Sequence, residues 1–138
     1  MGLVDEVEAP DVANRIKAAP AIRNLYWCDL WADARKPEFW KRRPVVVVSY
    51  RNSLAGPCLV VPLTTKAQSG NRWAVPFRHR YLGPETESWA VCNHLLTVSP
   101  SRLSSVRGAV PRFTEAEFAP ILARVHEWLP KMPTEGHR

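Results

Sequence analysis

Arg42-Arg43-Pro44-Val45-Val46-Val47-Val48-Ser49 and then Leu59-Val60-Val61-Pro62-Leu63-Thr64-Thr65 decide the fold of this chain. Each is a run of β-branched residues ended by polar groups, which predicts two buried strands, each holding a cation or a hydroxyl at its edge. Between them, Arg51-Asn52-Ser53-Leu54-Ala55-Gly56-Pro57 has the Asn, Gly and Pro of a hairpin connection. Pro62 lacks an amide donor and so belongs at an edge, a bulge or the end of its strand, which leaves Thr64 and Thr65 at the rim. An arginine and a threonine fixed on neighbouring rigid elements are one way to meet a phosphate.

Working outward, Leu25-Tyr26-Trp27-Cys28-Asp29-Leu30-Trp31 has the composition of a first strand, with ordered structure expected from about Ile22. Strand signals return at Trp73–Phe77, Ser88–Cys92 and Leu95–Val98, and Ser99-Pro100-Ser101-Arg102-Leu103 reads as a turn or single helical turn. Short strands at this interval predict a mainly β (α+β) fold, a small antiparallel barrel. Toward the end the period changes. Thr114-Glu115-Ala116-Glu117 has capping-box spacing, Phe113 is placed to staple against Phe118, and Ile121, Leu122, Val125, Trp128 and Leu129 mark one helical face. Pro120 is expected to delay the regular helix. Residues 1–21, acidic and then proline-punctuated, read as a flexible N-terminal arm with room for one short helix; 22–130 form the folded domain and 131–138 a disordered tail.

The 138 residues and 15.6 kDa suit one domain with a real core. Nineteen Lys and Arg against thirteen Asp and Glu give a net charge of +6 and a pI near 9.7, which favours polyanionic partners. A soluble basic surface is the alternative if charge is taken alone. Cys28, Cys58 and Cys92 are odd in number and lack metal-ligand spacing, so they read as buried thiols of a reducing compartment, with no metal site and no cofactor. No leader pattern and no membrane span is visible, which predicts a cytoplasmic protein without a membrane partner.

The ordered set Tyr26-Trp27-Cys28-Asp29-Leu30, Lys41–Ser49, Val60–Thr65 and Thr97-Val98-Ser99-Pro100-Ser101-Arg102-Leu103 resembles the MazF/PemK family of toxin ribonucleases, over about residues 25–129. The resemblance implies an SH3-like barrel with attached helices, acting as a homodimer that cuts single-stranded RNA without a metal. It also implies a cognate antitoxin whose C-terminal segment occupies the RNA groove, the complex binding DNA. The family's active-site arginine matches Arg43 and its threonine matches Thr64. Arg42, Ser49 and Thr65 are neighbours whose individual roles the motif leaves open; with Lys66, Arg72 and Asn93 they complete the expected RNA-binding set. Where the family commonly has Asp-Gln, this chain has Asn93-His94, which removes a carboxylate and adds a titratable ring.

Arg43 presents a planar, permanently charged fork to phosphate oxygens, and Thr64 one further donor; a surface cation and a turn hydroxyl are the plainer readings. Arginine is a poor base near neutrality, so His94, with an ordinary pKa of about 6.5, is the titrating candidate, against a structural or base-reading role. Arg78-His79-Arg80 reads as phosphate tracking by Arg78 and Arg80, or else as a solvated basic turn, with the flanking cations disfavouring protonation of His79. Trp31, Phe39, Trp40 and Trp73 are stacking candidates, Trp40 and Trp73 first. Two alternatives to a ribonuclease stay open: a CcdB-like inhibitor of DNA gyrase, and a relative that binds RNA or antitoxin without turnover.

Overall fold

The computed structural model describes residues 8–106 and 108–133. Among them, seven strands precede one α-helix: β1 (Leu25–Asp29), β2 (Arg42–Val47), β3 (Cys58–Thr64), β4 (Ala74–His79), β5 (Thr86–Val91), β6 (Leu96–Val98), β7 (Leu103–Ser104) and α1 (Glu115–Trp128). The seventh strand follows a single 3₁₀ turn at Pro100–Arg102, whose N-cap Ser99 accepts the Ser101 amide. Each expected strand is present within a few residues of its expected bounds.

The valine run forms β2 because both of its faces are buried. Val46 and Val48 join Leu25, Val61 and Leu63 under α1, whereas Val45 and Val47 join Tyr26, Cys28 and Val60 on the opposite side. A strand packed on both faces needs a continuous apolar run rather than alternation.

All pairings are antiparallel, in the order β4-β5-β3-β2-β1-β7, with β6 also on β3. One edge of β3 is divided: Cys58–Val60 pair with β6, and Leu63–Thr64 pair with β5. The sheet therefore forks, and among the described residues it does not close into the expected barrel. Pro62 lies inside a strand with partners on both sides, between the β6 and β5 pairings, where that edge changes partner.

Helix α1 begins directly at its cap. Thr114 accepts the Glu117 amide and Glu117 Oε1 accepts the Thr114 amide, a complete capping box. Phe113 and Phe118 are buried in one cluster, as a staple requires. Pro120 does not delay the helix; it sits on the exposed face while Phe118, Ile121 and Val125 enter the core. Trp128 and Leu129, expected on the buried face, are almost half exposed.

The only helical piece beside α1 among the described residues is that 3₁₀ turn; no helix forms in residues 8–21. That stretch is nonetheless tied to the sheet. Ile16 is buried against Tyr26 and Leu103, Arg15 pairs with Asp29 at 2.8 Å, and the carbonyl of Pro20 accepts from the Asn52 side chain. Its polar composition hid one apolar anchor. The expected tail lies largely outside the described residues. No helix among the described residues is long and apolar enough to cross a membrane.

Candidate active site

The start of β2, the end of β3 and the facing parts of β4 and β5 enclose a cleft of about 360 Å³. Arg42, Arg43, Thr64 and Thr65 line it on one side and His79, Thr86 and Ser88 on the other, with Trp27 and Leu82 as apolar walls. The sheet register explains why two distant motifs meet. Val46 pairs with Val61 and Val45 with Pro62, and two further steps set Arg43 opposite Thr64, where cross-strand neighbours share a face.

The Arg43 guanidinium is held from behind. Its Nε donates to the Trp40 carbonyl at 3.2 Å and its Cζ stands 5.1 Å from the Phe39 ring centroid. Both terminal amino groups have no hydrogen-bond partner among the described residues. Thr64 is 6 % exposed, and its Oγ1 accepts the Lys66 amide at 3.1 Å. With that oxygen engaged as an acceptor, the hydroxyl proton is left to donate. Among the described residues no carboxylate lines this cleft. Two fixed cations and spare hydroxyl donors in one concavity favour an anion.

His79 was expected in a solvated basic turn and is instead 5 % exposed at the end of β4. It stacks on Phe77 and Tyr81, with ring centroids 4.8 and 5.8 Å away. Its Nδ1 accepts the Tyr81 amide at 3.3 Å, and its Nε2 lies 2.8 Å from Ser88 Oγ. Burial pushes its pKa down, opposed by the nearby Glu117 carboxylate. Burial thus replaces flanking positive charge as the cause. Arg78 and Arg80 both turn to Glu85, at 3.2 and 3.6 Å, and stay exposed.

His94, expected to work beside Arg43 and Thr64, does not line their cleft. It lies in a neighbouring pocket of about 250 Å³ with Asn93, Phe39 and Glu38. Its ring packs 4.5 Å from Phe39, and burial lowers its pKa. Phe39 therefore touches Arg43 and His94, and joins the two pockets. Asn93 accepts from the Asn71 side chain at 3.3 Å, a contact that orients its amide.

The remaining expected residues separate by location. Arg42 joins the cleft, its Cζ 5.0 Å from the Trp27 ring and its Nη2 on Ser104. Thr65 and Lys66 are exposed on the rim. Trp40 is 49 % exposed, with Lys41 Nζ 4.3 Å from its ring centroid, and remains available for stacking. Trp31 is partly covered by Arg102. Ser49 is instead a turn brace: it donates to Asn52 and accepts the Leu59 amide. Trp73 packs edge-on to Trp128 against the helix side, and Arg72 sits near Glu127 at 3.7 Å. Neither lines the cleft.

Sequence reading missed Ser88, Thr86 and the buried position of His79. A signal existed for His79: alternation from Val75 through Phe77 puts it on the inward face, with Arg78 and Arg80 outward. Cys28, Cys58 and Cys92 are buried free thiols whose pKa burial raises to about 12, 11 and 12, which makes them poor nucleophiles. Among the described residues no group of three His, Cys, Asp or Glu side chains is placed to hold a metal ion.

The fold is shared with solved MazF toxins. MazF from Deinococcus radiodurans matches with a TM-score of 0.59 at 21 % identity, covering 79 % of this chain and 94 % of that one. The Mycobacterium tuberculosis toxin MazF-mt6 matches with a TM-score of 0.54 at 18 % identity, covering 77 % and 95 %. An endoribonuclease in complex with its cognate antitoxin, from a mycobacterial species, matches with a TM-score of 0.58 at 20 % identity, covering 83 % and 100 %. No curated protein matches by sequence. The family described as "PemK-like, MazF-like toxin of type II toxin-antitoxin system" matches residues 23–129. This chain belongs to that family.

Proposed function

We propose that this toxin is an endoribonuclease that cleaves single-stranded RNA selectively, without a metal, and arrests growth by doing so. The observation that carries the reading is Arg43 facing Thr64 across one cleft, each with its donors unspent. The 2′-hydroxyl oxygen attacks the adjacent phosphorus in line as it loses its proton, and the bond to the 5′-oxygen breaks. The products carry a 2′,3′-cyclic phosphate and a 5′-hydroxyl. DNA, without that hydroxyl, is a poor substrate.

Arg43 spreads two N–H donors over the phosphoryl oxygens as charge builds there, and Thr64 adds a third. A preorganised donor of this kind is worth about 3 kcal/mol, or 10²–10³ in rate. Arg43 stabilises charge rather than taking the proton, because a guanidinium holds its own too tightly. His94 and Phe39, one pocket away, are placed to read a flanking base. Trp40 offers a π-face to another.

The family implies a homodimer and a cognate antitoxin that covers the same groove, and a cytoplasmic site of action follows from an RNA target. Residues 22–130 are the toxin body, which the matched span 23–129 supports, with 1–21 and 131–138 as flanks.

The test is incubation of purified protein, free of antitoxin and with EDTA present, with a long single-stranded RNA beside an Arg43→Ala control. Discrete cuts with cyclic-phosphate ends that vanish in the variant support the reading. Intact RNA at high protein concentration overturns it.

A further inference from the structure

Two hydroxyls line the cleft wall, and the same device fixes both. Thr64 Oγ1 accepts a backbone amide, so its proton points elsewhere. Ser88 reaches the same state through a histidine. His79 Nδ1 accepts the Tyr81 amide, so that nitrogen carries no proton. A neutral imidazole must then carry its proton on Nε2, which lies 2.8 Å from Ser88 Oγ and donates to it. Ser88 Oγ is thereby an acceptor within the protein, and its own O–H has no acceptor among the described residues.

The direction of that free proton is limited by packing. Ser88 is 2 % exposed, yet it lines the Arg43–Thr64 cleft. The register that pairs Thr64 with Trp89 places Thr65 opposite Ser88 one step further on, so the serine stands at the same sheet rim as the threonine pair. A buried hydroxyl whose donor is unspent is costly unless something in the cleft accepts from it. The cleft holds two arginines and no carboxylate, so the acceptor it suits is a phosphate oxygen.

We propose that Ser88 is a further hydrogen-bond donor to the scissile phosphate, and that His79 is a positioning residue that holds the Ser88 hydroxyl in its donating direction. The inference rests on the ribonuclease reading and extends it from β2 and β3 to β4 and β5. His79 does not exchange a proton with the substrate here. Protonation would place a hydrogen on Nδ1 against the Tyr81 amide, and burial already disfavours the charged ring.

Cleavage of a single-stranded RNA by the full-length protein, with either phosphorothioate diastereomer at the scissile phosphate, tests this. Ser88→Ala, which removes one atom and leaves the fold intact, is expected to lower kcat about 10²-fold with KM nearly unchanged. The diastereomer that slows the wild type should slow Ser88→Ala no further, because sulfur then replaces an oxygen that has lost its donor. His79→Gln, which keeps a side-chain N–H, should retain more rate than His79→Leu. The ¹⁵N shifts of His79 should report a protonated Nε2 and an unprotonated Nδ1. If the wild type cuts and Ser88→Ala keeps its kcat and its sulfur sensitivity, this inference fails while the ribonuclease reading stands. An Nδ1-protonated His79 would remove its positioning role. If the wild type cuts no RNA, both fall together.

Discussion

Tyr81 donates its hydroxyl to the Glu117 carboxylate, joining the loop after β4 to the first turn of α1. The same tyrosine donates its backbone amide to His79, and Glu117 completes the capping box of α1. One residue thus links the helix to the wall of the cleft. Burial works against ionisation of Glu117, yet hydrogen bonds from Tyr81 and Thr114 hold its pKa below the ordinary value, while burial and the same contact raise Tyr81 to about 12.

Tyr81→Phe keeps the ring stack on His79 and Phe113 and removes only the hydroxyl. The expected cost is about 1 kcal/mol, the lower end for a bond to a charged group because the pair is partly solvated. Urea unfolding at neutral pH measures it. Stability from Glu117 is present above the ordinary carboxylate value and lost as pH falls through its lower folded value, so the variant should also lose less on strong acidification.

Thr114→Ala removes the N-cap acceptor for the Glu117 amide and frees the Thr114 half of the box. A loss of about 1 kcal/mol is expected, with helix fraying near residues 115–118. Hydrogen exchange of those amides should accelerate while β2 and β3 stay protected. Uniform acceleration everywhere would show that the cap supports the whole fold rather than the helix end.

Much of this fold was legible because its decisive segments have unambiguous composition. Val45–Val48 could only be a strand buried on both faces, and Thr114–Glu117 carried its cap in sequence. Arg43 and Thr64 were legible as a pair through their flanking prolines and the family motif, and the β2–β3 register then supplies the physical reason they meet. The fork at β3 was not legible, since it depends on β5 and β6 competing for one edge far apart in sequence. Ile16 was hidden among polar neighbours. His79 was misread because its charged neighbours dominated the local composition, although strand alternation places those neighbours on the other face. His94 was grouped with the catalytic pair by its place beside Asn93, and only the packing of Phe39 shows that a ring separates them.

That separation makes a distinct prediction for His94. His94→Gln should keep the cleavage rate at the preferred site within about threefold, since it adds or removes no donor to the phosphate, while Phe39→Ala should lower the rate tenfold or more by releasing the Arg43 guanidinium it backs. Cleavage-site sequencing should show both variants with altered preference at a flanking base. A hundredfold loss of rate in His94→Gln, with a shifted pH profile, would instead return His94 to proton transfer.

The two buried histidines set an acid limit on stability. Burial holds both His79 and His94 below the ordinary histidine range, and the groups that face His79 from neighbouring elements are Glu117 on α1, Tyr81 after β4, and Arg42 and Arg43 across the cleft. The unfolded chain takes up protons first, at about pH 6.5, while the folded chain still resists them. Their contribution is therefore full above that value and is lost as pH falls toward the lower folded values. The urea midpoint should decline from about pH 7 to pH 5, before carboxylates titrate. His79→Gln should start lower, having lost the ring stack on Phe77, and decline less steeply over that window. A wild-type midpoint that stays flat from pH 7 to 5 would mean that water reaches both rings in the folded protein.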